Sequence, residues 1–284
     1  MDEMKRGDRF MKVGFISDLH IDRNPEIPSA EYVTRLKEII AFKKLDRLVI
    51  GGDISNHYSS TIKFVEALQN QAEIPVHFIP GNHDFWEEAD ATKDTKGIYQ
   101  IYKDHPQSLI ERPLQLNDAY TIVGHPGWYN HAVYDKDKFT PEEVEQGKFR
   151  WAYWQDKLRM DWEMTDQEVS THFTNIITND LEKVSTKNII LQTHVVTVPE
   201  FTMPMPHRTF DFFNAFIATD DLKNVHKEYP ISHQFMGHIH FRSKIQKEQT
   251  EFISNSLGYR REWWSKDFTD EVLKSLTILN MSDN

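Results

Sequence analysis

The feature that most constrains the fold of this chain is a series of short apolar runs, each of which ends in polar residues. The early runs alternate with amphipathic stretches, such as the one that starts at Ser29, and this alternation predicts βαβ units with parallel strands and right-handed crossovers. The polar clusters that follow the runs are Asp18-Leu19-His20, Gly52-Asp53, Gly81-Asn82-His83-Asp84, His194 and Gly237-His238-Ile239-His240.

The carboxyl ends of parallel strands meet at one edge of a sheet, so these clusters are expected to converge there. They supply carboxylate, amide and imidazole ligands, and the chain has no cysteine and therefore no thiolate. Such a ligand set suits Mn²⁺, Fe, Zn²⁺, Ni²⁺ or Co²⁺, with Mn²⁺ as the first expectation. Two ions about 3.5–4 Å apart could hold a phosphate between them, and Asp53 is the candidate for a bridging carboxylate.

Taken together, the five clusters resemble the five sequence blocks of the calcineurin-like metallophosphoesterase superfamily, over roughly residues 12–280. The resemblance implies an α/β fold, a four-layer α/β/β/α sandwich of two mixed sheets with a dinuclear metal centre at one edge. It also implies phosphoester hydrolysis by in-line attack of metal-bound water or hydroxide.

Carried over residue by residue, the resemblance gives each polar position a role. The implied ligands are Asp18, His20 and His240 for the first metal, Asn82, His194 and His238 for the second, and Asp53 as the bridge. His83 is expected to protonate the leaving group or to stabilise the phosphate charge, with Asp84 orienting its ring.

Two further segments refine the resemblance. Protein phosphatases of the superfamily carry an arginine before the Gly-Asn-His block, whereas Pro80 holds that position here, which disfavours a protein phosphatase. The segment 255–259, followed by Glu262 and Trp263, is similar to bacterial members of phosphohydrolase type. Arg260 and Arg261, which lie between residue 259 and Glu262, could approach a phosphate or could be solvated.

Residues 125–185 differ in character, because they are rich in aromatic side chains interleaved with charges. Helical spacing over 141–160 and 166–184 predicts a helical insertion that caps the site, within a single domain of residues 11–284. His125, Trp128 and Tyr129, next to a strand end, are candidate substrate contacts together with Asn82. Most of the other aromatics are expected to pack the insertion onto the core.

Composition limits the classes of partner that the chain is expected to bind. The formal net charge of −11 disfavours a nucleic-acid surface, because phosphates would be repelled, although bound cations would reverse the charge locally. No apolar run approaches the roughly 20 residues that span a membrane. The absence of cysteine fits a cytoplasmic protein. Residues 1–10 are interpreted as a tail ahead of an alternative start at Met11, and no oligomeric state is predicted.

The resulting hypothesis is an enzyme that hydrolyses a small phosphodiester or phosphomonoester, a metabolite or a nucleotide. Diesters are favoured because His83 suits a poor alkoxide leaving group. Two alternatives stay open. One is a nuclease for single-stranded or damaged nucleic acid, which would need a basic groove, and the other is a metal-binding scaffold without catalysis.

Overall fold

The protein is described here from a computed structural model that covers residues 10–86 and 94–282, so nearly all of the predicted tail lies outside the described residues. The strands are β1 (Met11–Ile16), β2 (Arg47–Gly51), β3 (Val76–Ile79), β4 (Leu114–Gln115), β5 (Tyr120–Gly124), β6 (Lys148–Phe149), β7 (Ala152–Tyr153), β8 (Asn188–Gln192), β9 (Ile231–Met236), β10 (Arg242–Lys247), β11 (Thr250–Asn255) and β12 (Thr277–Met281). The α-helices are α1 (Ser29–Lys43), α2 (Tyr58–Ala72), α3 (Thr95–Asp104), α4 (Pro141–Glu145), α5 (Gln155–Arg159), α6 (Asp166–Glu182), α7 (Phe210–Phe213), α8 (Val225–Glu228) and α9 (Phe268–Ser275).

Two mixed sheets form the centre of the molecule. The first has the order β12-β1-β2-β3, with β1, β2 and β3 parallel and β12 antiparallel to β1. The second has the order β10-β11-β9-β8-β5-β4, in which the four inner strands are parallel and the two edge strands antiparallel. The predicted parallel arrangement is therefore confirmed, with antiparallel strands at the margins.

The layering follows from side-chain alternation along the strands. Val13 and Phe15 of β1 point into the interface between the sheets, where the Phe15 ring stacks on Phe235 of β9 at a centroid distance of 3.9 Å. Ile16, on the opposite face of β1, packs with residues of α1 and α2. Residues of α6 and α8 cover the outer face of the second sheet. The order of layers is α/β/β/α, as the family resemblance implied.

The aromatic-rich stretch departs from the expected helix over 141–160. Two short helices, α4 and α5, flank the β6–β7 hairpin instead. Gly147 and Arg150 adopt left-handed backbone with φ of 62° and 57°, and such turns interrupt a helix. Helix α6 matches the second predicted helix and packs against β5. Because α6 joins the parallel neighbours β5 and β8, it has the position of a crossover helix; the 125–185 cap boundary remains a prediction.

Strand direction determines where the polar clusters lie. β1, β2, β3, β8 and β9 all run toward the same edge, and a bridge between Ser17 and Ser256 links the two sheets there. In the part of the chain that the structure describes, no helix is both long enough and apolar enough to cross a bilayer.

Candidate metal centre

The predicted ligands leave their strands in an unusual backbone conformation. Asp18, His20, Asp53 and His238 all have positive φ, between 44° and 70°. Non-glycine residues seldom adopt this conformation, which costs free energy and is retained mainly where function needs a particular side-chain direction. Here it turns the carboxylates and imidazoles inward at the strand ends.

Two glycines allow the loops to approach one another. Gly52 has φ of 92°, and a Cβ at Gly81 would lie 2.2 Å from Asp53 Oδ1 and 2.6 Å from His194 Cε1. Any side chain at Gly81 would therefore displace a predicted ligand. The glycines of these two clusters are required by the packing of the site itself.

The first group of candidate ligands contains Asp18, His20, Asp53 and His240, whose ligand atoms all lie within 4.8 Å of one another. His20 Nε2 is 3.0 Å from His240 Nε2 and 3.6 Å from Asp53 Oδ2. Asp18 is fixed by its neighbours, because its Oδ2 accepts from the Ser17 hydroxyl and its Oδ1 from the His238 backbone N–H.

The second group contains Asp53, His194 and His238, again within 4.8 Å. Asn82 joins it, since its Oδ1 is 2.9 Å from His238 Nδ1 and 3.1 Å from His194 Nε2. His194 Nε2 also lies 3.3 Å from Asp53 Oδ1. The structure thus brings all seven predicted ligands together as two groups that share Asp53.

Each of three candidate histidine ligands has one ring nitrogen that points away from the other ligands, and the contacts of these outward nitrogens indicate that the two groups suit metal ions. His194 Nδ1 is 3.0 Å from the Gly51 carbonyl oxygen, and His238 Nε2 is 2.8 Å from that of Phe216. His240 Nδ1 is 2.8 Å from the Glu262 carboxylate. An outward N–H donated to such acceptors leaves the inward nitrogen with its lone pair, which is how metal-binding histidines are held in proteins.

Burial and the charges of neighbouring groups shift the pKa values of these side chains. Burial lowers the pKa of His238 to about 3 and that of His83 to about 4, and it raises the pKa of Asp18. Burial also disfavours a charged His194, but the Asp53 carboxylate outweighs it and raises that pKa to about 9. Despite burial, neighbouring imidazoles hold the pKa of Asp53 well below its usual range.

The predicted pairing of Asp84 with His83 is wrong. His83 Nδ1 lies 2.8 Å from Asn56 Oδ1, so Asn56 orients the ring. The Asp84 carboxylate accepts from the Ile54 backbone N–H at 3.1 Å and from the Thr61 hydroxyl at 2.6 Å. Asp84 therefore fixes the loop after β2, because those donors would otherwise be buried without a partner. Asn56 lies three residues after Asp53, and no motif marks it.

His125 does not line the cleft, although it follows a strand end. Its side chain is buried, with Nε2 3.0 Å from the Tyr99 hydroxyl and the ring 4.5 Å from that of Phe173. Burial lowers its pKa to about 3. We therefore withdraw His125 from the candidate substrate contacts, because β5 ends beneath the insertion and not in the opening.

Trp128 and Tyr129 are likewise buried and outside the cleft lining. The Trp128 indole N–H donates to Asp166 Oδ1 at 2.9 Å, within the insertion. The Tyr129 ring stacks on that of His238 at a centroid distance of 6.4 Å, behind the metal centre. Both positions support the site from outside it, so neither is retained as a substrate contact.

Asp156 lies in the insertion and is buried, and sequence reasoning missed it. Its carboxylate accepts from Asn82 Nδ2 at 3.0 Å, Trp86 Nε1 at 2.7 Å, Trp154 Nε1 at 2.9 Å and the Tyr129 hydroxyl at 3.0 Å. Burial raises its pKa to about 6, against these hydrogen bonds. By holding the amide nitrogen of Asn82, Asp156 directs the amide oxygen toward the second ligand group. No motif marks such a residue.

An open cleft of about 710 Å³ gives access to the ligands. Asp53, Asn82, His83, His238 and His240 form its floor. Its walls come from the insertion, from the segment around α7 and from residues after β9 and β11. The volume is in the range of pockets that hold a small organic ligand.

A family model described as calcineurin-like phosphoesterase matches residues 11–242. A probable cyclic nucleotide phosphodiesterase of Pseudoalteromonas sp. (strain SM9913) is 34% identical over 82 residues, 26% of this chain. A second, of Fibrobacter succinogenes (strain ATCC 19169 / S85), is 31% identical over 94 residues, 31% of this chain. The matched segments span only 31% and 36% of these relatives' own lengths.

Solved structures show the same fold at low sequence identity. Phosphopantetheinyl hydrolase from Mycobacterium tuberculosis superposes with a TM-score of 0.73 at 17% identity, over 96% of each chain. A dimetal phosphatase from Danio rerio gives a TM-score of 0.51 at 12% identity, over 87% of each chain.

Proposed function

The chain belongs to the calcineurin-like phosphoesterase family, whose members are metal-dependent phosphoester hydrolases, and we propose that it is a dinuclear enzyme that hydrolyses a small phosphodiester. The observation that carries this proposal is the pair of ligand groups that share Asp53 at the floor of the cleft. Asp18, His20 and His240 would hold one ion, Asn82, His194 and His238 the other, and Asp53 both. Mn²⁺ is the proposed native metal, and the cytoplasm remains the predicted location.

When bound, two divalent ions would polarise the phosphoryl oxygens and lower the pKa of the attacking water. The chain's own residues supply position. The outward hydrogen bonds of the histidines fix their ring orientations, and the positive-φ backbone at Asp53 directs its carboxylate to the floor of the cleft. Such preorganisation means that little reorganisation is needed when the reaction occurs.

His83 is the proposed proton donor to the leaving oxygen, or the hydrogen-bond donor to the phosphate. It lines the cleft, and its Nε2 lies 3.8 Å from Asp53 Oδ2, next to both ligand groups. Asn56 Oδ1 holds the opposite ring nitrogen. Burial lowers the pKa of His83 to about 4, whereas the negative charge of a bound phosphate favours the protonated ring, which can then supply the proton that an alkoxide leaving group needs.

Two further observations bear on the substrate, one on the diester bond and one on the organic part. The curated relatives are named as probable cyclic nucleotide phosphodiesterases. The cleft is also larger than an inorganic phosphate requires, so it leaves room for organic groups.

The test is metal-dependent hydrolysis. The full chain would be stripped with a chelator, supplied with Mn²⁺, and assayed with bis(p-nitrophenyl) phosphate beside p-nitrophenyl phosphate. We expect turnover only with metal, and faster turnover of the diester. A faster monoester reaction would contradict the diester preference. Binding of two Mn²⁺ ions without any turnover would contradict the enzymatic proposal and favour a scaffold.

A further inference from the structure

The cleft above the metal centre has two walls of opposite character. Its volume of about 710 Å³ corresponds to a ligand of drug-like size, whereas the ligand atoms at the floor account only for the phosphoester group. The remaining surface must therefore contact the rest of the substrate. Its chemistry is informative about what that substrate contains.

One wall is apolar and begins beside the second ligand group. The Trp154 ring lies 5.9 Å from the His238 ring and 6.1 Å from that of Phe213. Phe210 and Ile217, also without charge, line the same cleft. Apolar surface that faces an open cleft gains free energy when an apolar ligand covers it, because water is released.

The other wall is cationic and begins beside the first ligand group. The Tyr259 ring lies 4.5 Å from the His240 ring, and the Arg261 guanidinium lies 4.8 Å from the Tyr259 centroid. Arg23 is exposed and lines the cleft too. Both arginines also border a smaller adjoining cavity of about 440 Å³.

These two cations are only weakly neutralised by the protein. Arg261 Nε is 3.6 Å from Glu262 Oε1, while the other oxygen of Glu262 contacts His240, and the Arg261 side chain is 78% exposed. Across residues 10–86 and 94–282, no side chain forms a hydrogen bond or an ion pair with the Arg23 guanidinium. A third arginine of the cleft lining, Arg159, has its guanidinium 4.8 Å from the Trp86 ring centroid and has partners of its own. In a chain with a net charge of −11, the two more available arginines, Arg23 and Arg261, favour an anion beside the cleft.

We propose that the cleft binds a phosphodiester with two unlike ends, an extended apolar arm against Trp154, Phe210 and Phe213 and a second anionic group at Arg23 and Arg261. The proposal rests on the proposed function and deepens it. Hydrolysis would add water across one P–O ester bond. The water oxygen forms a new bond to phosphorus, the P–O bond to the leaving group breaks, and the leaving oxygen takes up a proton. The products are a phosphomonoester and an alcohol.

The apolar arm is tested with methyl, butyl and hexyl p-nitrophenyl phosphates and the Mn²⁺-loaded full chain. We expect kcat/KM to rise at least tenfold from methyl to hexyl, since a fully buried methylene favours binding by about fourfold. Phe210→Ala should bring the hexyl-to-methyl ratio toward one. Met203→Gln, in a loop that also lines the cleft, is the second wall variant if Phe210→Ala does not fold. Phe42→Ser is the matched control, because Phe42 is 74% exposed on α1 and outside the cleft.

The anionic end is tested by comparing 2-carboxyethyl with butyl p-nitrophenyl phosphate. We expect at least a fivefold preference for the carboxylate ester at low salt, decreasing as ionic strength rises. The double variant Arg23→Gln/Arg261→Gln should abolish this preference, whereas Arg208→Gln, an exposed arginine outside the cleft lining, should keep it.

The outcomes separate this inference from the function on which it rests. Hydrolysis of the methyl ester with no response to chain length, or with no carboxylate preference, would overturn the two-ended substrate and leave the phosphodiesterase proposal standing. Failure to hydrolyse any of the esters would contradict the phosphodiesterase proposal and this inference with it. The inference would be supported by two results together. The dependence on chain length should be lost in the apolar-wall variants and kept in Phe42→Ser, and the carboxylate preference should be lost in the double arginine variant and kept in Arg208→Gln.

Discussion

Two regions of this molecule gather acidic side chains around imidazoles, the strand-end edge with Asp53 and the insertion with Asp166. In the insertion, Asp166 Oδ2 lies 2.9 Å from His131 Nε2, and Glu145 lies 3.6 Å from the same ring. The Lys157 ammonium is 2.7 Å from both carboxylates. At the strand ends, by contrast, the described ion-pair partners of Asp18 and Asp53 are all histidines.

This difference shows under which condition a cluster of acidic side chains indicates a metal site. Buried carboxylates need a positive partner, because burial of an unpaired charge is costly. In the insertion the chain supplies that partner itself, as Lys157. At the strand ends it supplies inward imidazole nitrogens that can act as ligands, so the cation has to come from solution. Similar residue types thus give a structural ion cluster in one place and a candidate metal centre in the other.

The largest effect is expected from breaking the shared ligand. Asp53→Asn should lower hydrolysis by on the order of 10³-fold or more, about 4 kcal/mol in the activation barrier, because both proposed ions lose a carboxylate. Elemental analysis by mass spectrometry should show fewer than two metal ions per chain.

Glu145→Gln is the matched control in the insertion, where Lys157 and not a metal is the partner. It should keep the wild-type metal content and nearly all of the activity. Loss of a metal ion from Glu145→Gln would contradict the distinction between the two clusters.

Next in size is the loss of His83. His83→Ala should slow hydrolysis of a diester with an alkoxide leaving group by about 10²-fold or more, while metal content stays unchanged, because no metal ligand is removed. With p-nitrophenolate, which leaves without a proton, the loss should be smaller. Equal losses on both leaving groups would argue against proton donation.

The contrast between the regions also explains what the sequence could predict. Strand-end motifs are local, so Asp18, His20, His238 and the other candidate ligands could be found from their positions after apolar runs, and parallel strands were predicted from the alternation with helices. The role of each ligand came from the family resemblance. Asp156 and Asn56 act through contacts between segments far apart in the chain, or through side-chain direction, and neither leaves a periodic pattern. His125 was misjudged for the same reason: a strand end predicts an edge position, but whether an insertion covers that position depends on tertiary packing.

A more moderate effect is expected at Asp156, where the two regions meet. Asp156→Asn removes the carboxylate that holds the amide nitrogen of Asn82, so affinity for the second metal should fall about 10-fold to 100-fold while the first is retained. Competitive metal titration of the chelator-treated protein would resolve the two sites. Asp161→Asn, an exposed change in the same insertion, is the control. Equal weakening of both metals would indicate a general loss of structure instead of a positioning role.

The smallest effect on hydrolysis is expected at Asp166, which should affect stability alone. Hydrogen bonds and charge from His131 and Lys157 outweigh burial and lower the pKa of Asp166 below its ordinary value of 3.8. A carboxyl group whose pKa is lower in the folded state than in the unfolded state stabilises the folded protein. This stabilisation is complete at pH values above the ordinary pKa, and it is lost as the pH falls through the folded-state pKa. Asp166→Asn should therefore reduce the free energy of unfolding by about 1–3 kcal/mol at neutral pH, with two metals still bound. Urea unfolding at pH 7 and at pH 3 would measure this difference, which should shrink at the lower pH because pH 3 lies below the ordinary value of 3.8, where the stabilising contribution begins to be lost. A difference of the same size at both values would mean that Asp166 acts by packing and not by its charge.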